Sequence, residues 1–354
     1  ETKVMNKYLF IYVRCLVFSL IVTVASTYGQ TNDLNTTVLD FDGDGRTDLV
    51  ALQKLDGALI WHIQQSQDGY RSLAFGVDSL TDIAIPADYD GDGKWDVAIW
   101  RRGVAGGQAH FWILNSSSQD VTVIPWGRPF DYPRATQDFD GDGKADPTVV
   151  RANSANGLVW WTLFSRTGMA AARQLGTYGD YYLRGDYDGD GMADVAVYHA
   201  AVDGITPPYT FIIKMSSTGK ILYQRFGEQI DFVIPADFDG DTRTDLAVYR
   251  YLGSGGNKGA YWHWMNSSDG TYRSYNFGLA IGAVTGQVDY PAPGDYDGDR
   301  VTDFAIWRTK KYTNIQSEFH ILGSKTGYTV IPWGNDEMEI LNYKLQVAET
   351  AFPQ

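Results

Sequence analysis

Cysteine is nearly absent. The chain of 354 residues holds one, Cys15, inside an apolar stretch near the amino terminus, so the rest has neither disulfides nor a thiol for nucleophilic chemistry. Histidine is scarce as well. His62, His263 and His320 each follow an aromatic residue, and His110 and His199 fall elsewhere; no zinc-ligand spacing emerges, and strand-surface residues are their default reading. Cations are outnumbered, 29 Lys and Arg against 43 Asp and Glu for a net charge of −14, which speaks against nucleic acid as a partner. No Ser, His and Asp grouping and no paired Glu stands out, so catalysis finds little support. Helical periodicity is also missing. Short runs of Val, Ile, Tyr, Trp and Thr closed by Gly, Asn, Asp and Ser, with 38 glycines and 14% aromatics, are the composition of a many-turned β protein.

The one long apolar run lies at the start. From Met5, "MNKYLFIYVR" carries Lys7 and Arg14, and "CLVFSLIVTVA" follows before the small residues of "STYGQ". Residues 1–29 therefore read as a secretory signal region that starts at Met5, with Glu1–Val4 as upstream translation; the run is too short for a good membrane span. An uncleaved amino-terminal anchor is the alternative. The expected mature chain, residues 30–354, is then one domain, secreted to the extracellular space or the periplasm, with no integral membrane span. Without disulfides it needs another staple, and metal ions can serve.

What the chain has in abundance is one nonapeptide. It occurs as "DFDGDGRTD" (40–48), "DYDGDGKWD" (88–96), "DFDGDGKAD" (138–146), "DYDGDGMAD" (186–194), "DFDGDTRTD" (237–245) and "DYDGDRVTD" (295–303). The starts are 48, 50, 48, 51 and 58 residues apart, so the copies are in register with a repeating unit. After each comes an apolar run such as "LVAL" or "VAIW". An aromatic five residues before a serine follows: Trp61 and Ser66, Trp112 and Ser117, Trp160 and Ser165, Phe211 and Ser216, Trp262 and Ser267, Phe319 and Ser324. In five units a glycine lies three residues past the serine (Gly69, Gly168, Gly219, Gly270, Gly327), a hairpin-turn signal. Every unit then ends in "FG", "WG" or "LG". Four strands in about 50 residues is the size of a propeller blade.

The D-x-D-x-D-G-x-x-D loop, the apolar strand after it and the closing "FG" resemble the FG-GAP and VCBS repeats of integrin α-chain heads and many secreted bacterial proteins, over roughly residues 35–334. The resemblance implies an all-β fold, a β-propeller whose Asp loops bind calcium between a blade's first and second strands. Six units imply six four-stranded blades rather than seven. The tail "EILNYKLQVAETAF" has strand-like alternation without an Asp loop, and about twenty residues cannot make another blade; a closing strand or a rim element is expected.

Crowded carboxylates repel unless a cation joins them. The candidate calcium ligands are Asp40, Asp42, Asp44 and Asp48; Asp88, Asp90, Asp92 and Asp96; Asp138, Asp140, Asp142 and Asp146; Asp186, Asp188, Asp190 and Asp194; Asp237, Asp239, Asp241 and Asp245; and Asp295, Asp297, Asp299 and Asp303. Calcium takes six to eight hard oxygens in flexible geometry, which alternating aspartates on a tight loop can supply. The loops are not EF-hands, because the twelfth position holds Ala51, Ile99, Val149, Val197, Val248 or Ile306 where a bidentate Glu is required. Setting aside Lys3, Lys7, Arg14 and Glu1 of the signal region takes the net charge from −14 to −16, and up to six Ca²⁺ would lift it to −4. Metal-free Asx turns and magnesium are the competing readings. In the fifth and sixth loops Thr242 and Arg300 stand where the others have glycine at a sharp turn, which predicts weaker sites there.

Arg101, Arg151, Arg250 and Arg308 recur at one strand end, with His199 and Gln53 in the same slot. They are read as ion pairs with an aspartate preceding the next loop (Asp131, Asp180, Asp289) or with a neighbouring loop, ahead of a ring for an anionic ligand. Trp61, Trp112, Trp160 and Trp262 are read as blade packing ahead of sugar stacking. Function is expected to be binding of an extracellular glycan or surface protein, an adhesion or recognition module; a calcium-dependent polysaccharide lyase or other carbohydrate-active propeller enzyme is the alternative. Alternating antiparallel connections put the Asp loops and the S-x-x-G turns at one end of each blade. The segments that break the repeat (102–109, 200–208, 251–259, 279–288, 309–317) fall at the other, so the ligand is expected there, near Tyr251, Lys258, Lys310, Lys311 and Tyr312.

Overall fold

The run after each Asp loop is apolar on both faces because it becomes a blade's second strand, walled in by strands on either side and by blades above and below. Val97–Arg101 and Val195–His199 are buried at nearly every residue. The next strand alternates, as Ala58–Gln65 does, and the outermost strands Ile221–Arg225 and Tyr272–Asn276 are almost wholly exposed. Burial is greatest in the second strand and falls from there to the rim.

The computed structural model describes residues 38–79, 81–133, 136–200, 207–229, 231–252, 259–279, 287–310, 316–335, 337–345 and 349–350. The expected signal region, 1–29, lies outside them. Blade 2 orders Asp82–Ala84, Val97–Arg101, His110–Leu114 and Val121–Pro125 from axis to rim. Blades 5 and 6 repeat that order from Phe232–Val233 and Gln287–Pro291. In blade 3 the innermost strand shrinks to a single bridge, Tyr132 to Val150. Blade 1 is completed from the far end of the chain: Glu339–Ile340 pairs with Ala51 and Leu52. The tail is therefore a closing strand, as one of the two expectations had it. Beyond it, one helical turn, Leu341–Lys344, leads to Glu349–Thr350, which pairs with Tyr181 and Tyr182 of blade 4. The result is a six-bladed β-propeller. Among the described residues no helix is long and apolar enough to cross a membrane.

One large aromatic per blade fills the space between blades: Trp61, Phe111, Trp160, Phe211, Trp262 and Phe319 are all at most 1% exposed. The "FG" motif serves the same packing. The Trp61, Trp160 and Trp262 indoles donate to the carbonyls of Phe75, Leu175 and Phe277 at 2.9–3.2 Å. The glycine after each has positive φ (Gly76, Gly176, Gly278), and a Cβ on Gly76 or Gly176 would press within 3.0–3.3 Å of Ile99 or Val197 in the next blade. Glycine meets both demands.

Blade 2 departs from the expected register by one residue. Phe111 is the core aromatic and Ser116 the turn serine, whereas Trp112 is half-buried on the other face under the Arg101 guanidinium, 5.3 Å from the ring centroid. Both Phe111-Trp112 and the run of serines at 116–118 satisfy the sequence pattern twice. Three residues past Ser116 stands Gln119, with φ of 60°, in the place of the glycine that this unit lacked.

Candidate metal centre

Each Asp loop folds by turning its carboxylates onto its own N–H groups. The first aspartate of every loop accepts the N–H three residues on at 2.6 Å and the N–H five residues on at 2.7–2.9 Å. The ninth accepts the second residue's N–H at 2.8 Å with one oxygen and the turn serine's N–H at 2.6–2.7 Å with the other. The third also reaches the turn: Asp42 accepts the N–H groups of Gln67 and Asp68 at 3.0 Å, and Asp297 those of Lys325 and Thr326 at 2.8 Å. Loop and turn therefore share one end of each blade.

These bonds leave carboxylate oxygens converging. In the first five loops one oxygen from each of positions one, three and nine lies within 4.8 Å of the other two, the spread of ligands around a single ion at about 2.3–2.6 Å. Three position-three oxygens, Oδ1 of Asp140, Asp188 and Asp297, are buried with no hydrogen-bond donor. A buried acceptor without a donor is costly, and a cation relieves it. An all-oxygen set suits calcium or magnesium and not zinc. Position five stands apart from those clusters. Asp44, Asp92, Asp142, Asp190, Asp241 and Asp299 accept the turn serine's hydroxyl at 2.6–2.9 Å, latching the turn over the loop.

Burial drives these carboxyls upward against the pull of their N–H donors. Asp48 reaches about 8, Asp245 and Asp303 about 7, and Asp40, Asp96, Asp146 and Asp194 about 6. Neighbouring aspartates push the same way. A bound divalent ion would keep them ionised.

The loops also hold one another. The N–H of each eighth residue donates at 2.6–2.8 Å to the first aspartate's carbonyl in the preceding blade: Trp95 to Asp40, Ala145 to Asp88, Ala193 to Asp138, Thr244 to Asp186 and Thr302 to Asp237. Thr47 to Asp295 closes the circle.

The recurrent arginines are ion-paired, but to their own blade. Arg101 forks onto Asp82, Arg151 onto Asp131, Arg250 onto Asp231 and Arg308 onto Asp289, each at 2.6–2.8 Å, and His199 Nδ1 meets Asp180 at 2.7 Å. The aspartate lies before the same loop that the arginine follows, since those two strands are hydrogen-bonded neighbours; Asp82 and Asp231 were not singled out by sequence. Of the expected ligand contacts, Tyr251 is buried, its hydroxyl donating to the Asp289 carbonyl, because the strand Leu246–Leu252 runs that far. It is a packing residue. Lys310 is paired with Glu318. Lys258, Lys311 and Tyr312 lie outside the described residues.

No protein-family model matches the sequence, and no curated protein matches it. Solved structures do. A triple arginine-to-alanine variant of AofleA from Arthrobotrys oligospora aligns over 81% of this chain and 83% of its own at 12% identity, with a TM-score of 0.50. The β-propeller domain of the Trilobed protease from Pyrococcus furiosus aligns over 80% and 79% at 12% identity with a TM-score of 0.44. A variant of Aleuria aurantia lectin in complex with Fucα1-6GlcNAc aligns over 79% and 89% at 9% identity with a TM-score of 0.47. At these identities the likeness is one of fold.

Proposed function

We propose that this chain is a secreted propeller of the FG-GAP/VCBS kind, held together by calcium at its six Asp loops, whose task is to bind an extracellular glycan or surface protein. The metal reading rests above all on the donorless buried oxygens of Asp140, Asp188 and Asp297 beside carboxylates that already spend their other lone pairs on backbone N–H groups. Calcium supplies the compensating charge when bound. Positions one, three and nine would hold it, while position five keeps the turn serine latched.

The binding reading rests on the rigidity of that scaffold and on the unlike connections at its other end, where recognition chemistry has room to vary. The test is elemental analysis of the purified mature chain, with a glycan and surface-protein array probed in calcium and in chelator. Bound calcium near six per chain and array signals lost on chelation are expected. A chain free of divalent metal, with an unchanged array pattern in chelator, overturns the reading.

A further inference from the structure

Among the described residues Arg184 makes no ion pair and no side-chain hydrogen bond; its one charged-group contact is with an aromatic ring. Arg184 lies two residues before the first aspartate of blade 4, a place taken in the other blades by Val38, Pro86, Thr136, Pro235 and Pro293. Its guanidinium lies over the ring of Trp95, 5.5 Å from the centroid, and Trp95 belongs to blade 2. Blades 2 and 4 are not neighbours, so this contact crosses the central channel at its Asp-loop end. Among the described residues no carboxylate or carbonyl stands within hydrogen-bond distance of that guanidinium, whereas Arg101, Arg151, Arg250 and Arg308 are all forked onto aspartates. Burial holds Arg184 below the usual arginine range, at about 10, with only the Tyr89 ring electrostatically opposed to it.

A second donor is stranded beside it. Gln137, 2% exposed, uses its carbonyl to accept the N–H of Gly185, the residue after Arg184, at 2.7 Å. Its Nε2 is buried with no acceptor. The tail enters the channel from this same Asp-loop end: Asn342 donates to the Asp48 carbonyl, the neighbouring Tyr343 packs on Phe232 and Tyr290, and Glu349–Thr350 pairs with Tyr181 and Tyr182. Arg184 is part-buried, so some of its surface stays open to solvent.

We propose that this end of the channel is an anion site for a small carboxylate, free or carried on a sugar, with Arg184 and Gln137 as donors and Trp95 as the floor. A guanidinium presents paired N–H groups that match a planar carboxylate, and an indole beneath leaves that edge free. The inference rests on the calcium reading, because uncompensated aspartates around the channel mouth would repel an anion.

Calorimetric titration of the mature chain in calcium with sodium glucuronate, sodium acetate and glucose tests it. One glucuronate or one acetate per chain is expected, and which of them binds identifies the source; glucose is expected to give no heat. Arg184→Met should weaken binding about 30-fold or more with its melting temperature kept. Should that variant fail to fold, Gln137→Leu is expected to weaken binding about tenfold. Calcium content measured on the same samples separates the two readings. Calcium-loaded protein that ignores both carboxylates up to about 10 mM, or binds them equally well in the variants, overturns this proposal alone. Calcium-free protein that still takes a carboxylate keeps it and overturns the metal reading, and protein with neither overturns both.

Discussion

The two ends of the blades have gone opposite ways. At one end six loops of nine residues repeat the same hydrogen bonds to within a few tenths of an ångström. At the other end the connections between second and third strands share nothing. Blade 1 turns through Asp56 and Gly57 alone, blade 2 spends residues 102–109, blade 3 uses 153–156, and blade 4 runs from 200 to 209. A hairpin pinned by its loop, turn and core aromatic does not need its far connection for stability, so length and composition there are free to vary. Repetition marks the end that holds each blade together, and irregularity marks the end that the blade's own bonds leave unconstrained.

Metal removal should break this contrast most. With each site contributing about 2.7 kcal/mol at a hundredfold excess over its dissociation constant, chelation should lower the melting temperature by on the order of 20 °C or more, read by circular dichroism. The gap should also depend on pH. Asp48, Asp245 and Asp303 have folded values of about 7–8, above the ordinary 3.8, so the metal-free protein binds more protons folded than unfolded. Its stability is full below about pH 4 and is lost as pH rises through 6–8, and the chelation effect should widen from pH 5 to pH 8. A gap that narrows instead would contradict the buried-carboxylate picture.

Asp146→Ala strips two backbone N–H groups of their acceptor and should cost about 2–4 kcal/mol in urea denaturation. Sharpening the comparison within the Asp-loop end, Thr242 and Arg300 carry φ of 71° and 68° where the first four loops have glycine at 81–86°. Thr242→Gly and Arg300→Gly should each recover about 1 kcal/mol, a fivefold to tenfold gain in calcium affinity at those loops; a calcium titration in which these loops do not fill last would refute the ranking. Gln119→Gly, also at positive φ, should raise stability by up to about 1 kcal/mol. The smallest effect belongs to the other end. Arg102→Ala, exposed in the longer blade 2 connection, should move stability by no more than about 0.5 kcal/mol.

The blades, their number and the loop-to-turn contact were legible in the sequence because each rests on a local pattern stated six times. What escaped was non-periodic. Phe111 and Trp112 are adjacent aromatics that satisfy the same rule, and only packing decides which faces the core. The partner of Arg101 is Asp82 because the two strands pair across their own loop, and a spacing that recurs around a ring does not say in which direction to count. Asn342, 1% exposed, accepts the Val50 N–H and donates to the Asp48 carbonyl, nearly 300 residues away in sequence. No pattern announces such a contact. Arg184 left a faint signal, a charged residue in a slot otherwise filled by proline, threonine or valine.

The circle of bonds from each eighth-residue N–H to the preceding first-aspartate carbonyl has a consequence for how the molecule comes apart. In an open stack of repeats the terminal units have one neighbour each, and loss of structure starts where neighbours are fewest. Here the bond from Thr47 to Asp295 gives the first and last blades the same two neighbours as the rest. The nearest-neighbour chain acquires a periodic boundary: six units, six interfaces, and no frayed end. Breaking one interface frees nothing, because every blade remains tethered on its other side, and a blade can leave only when two clasps open at once.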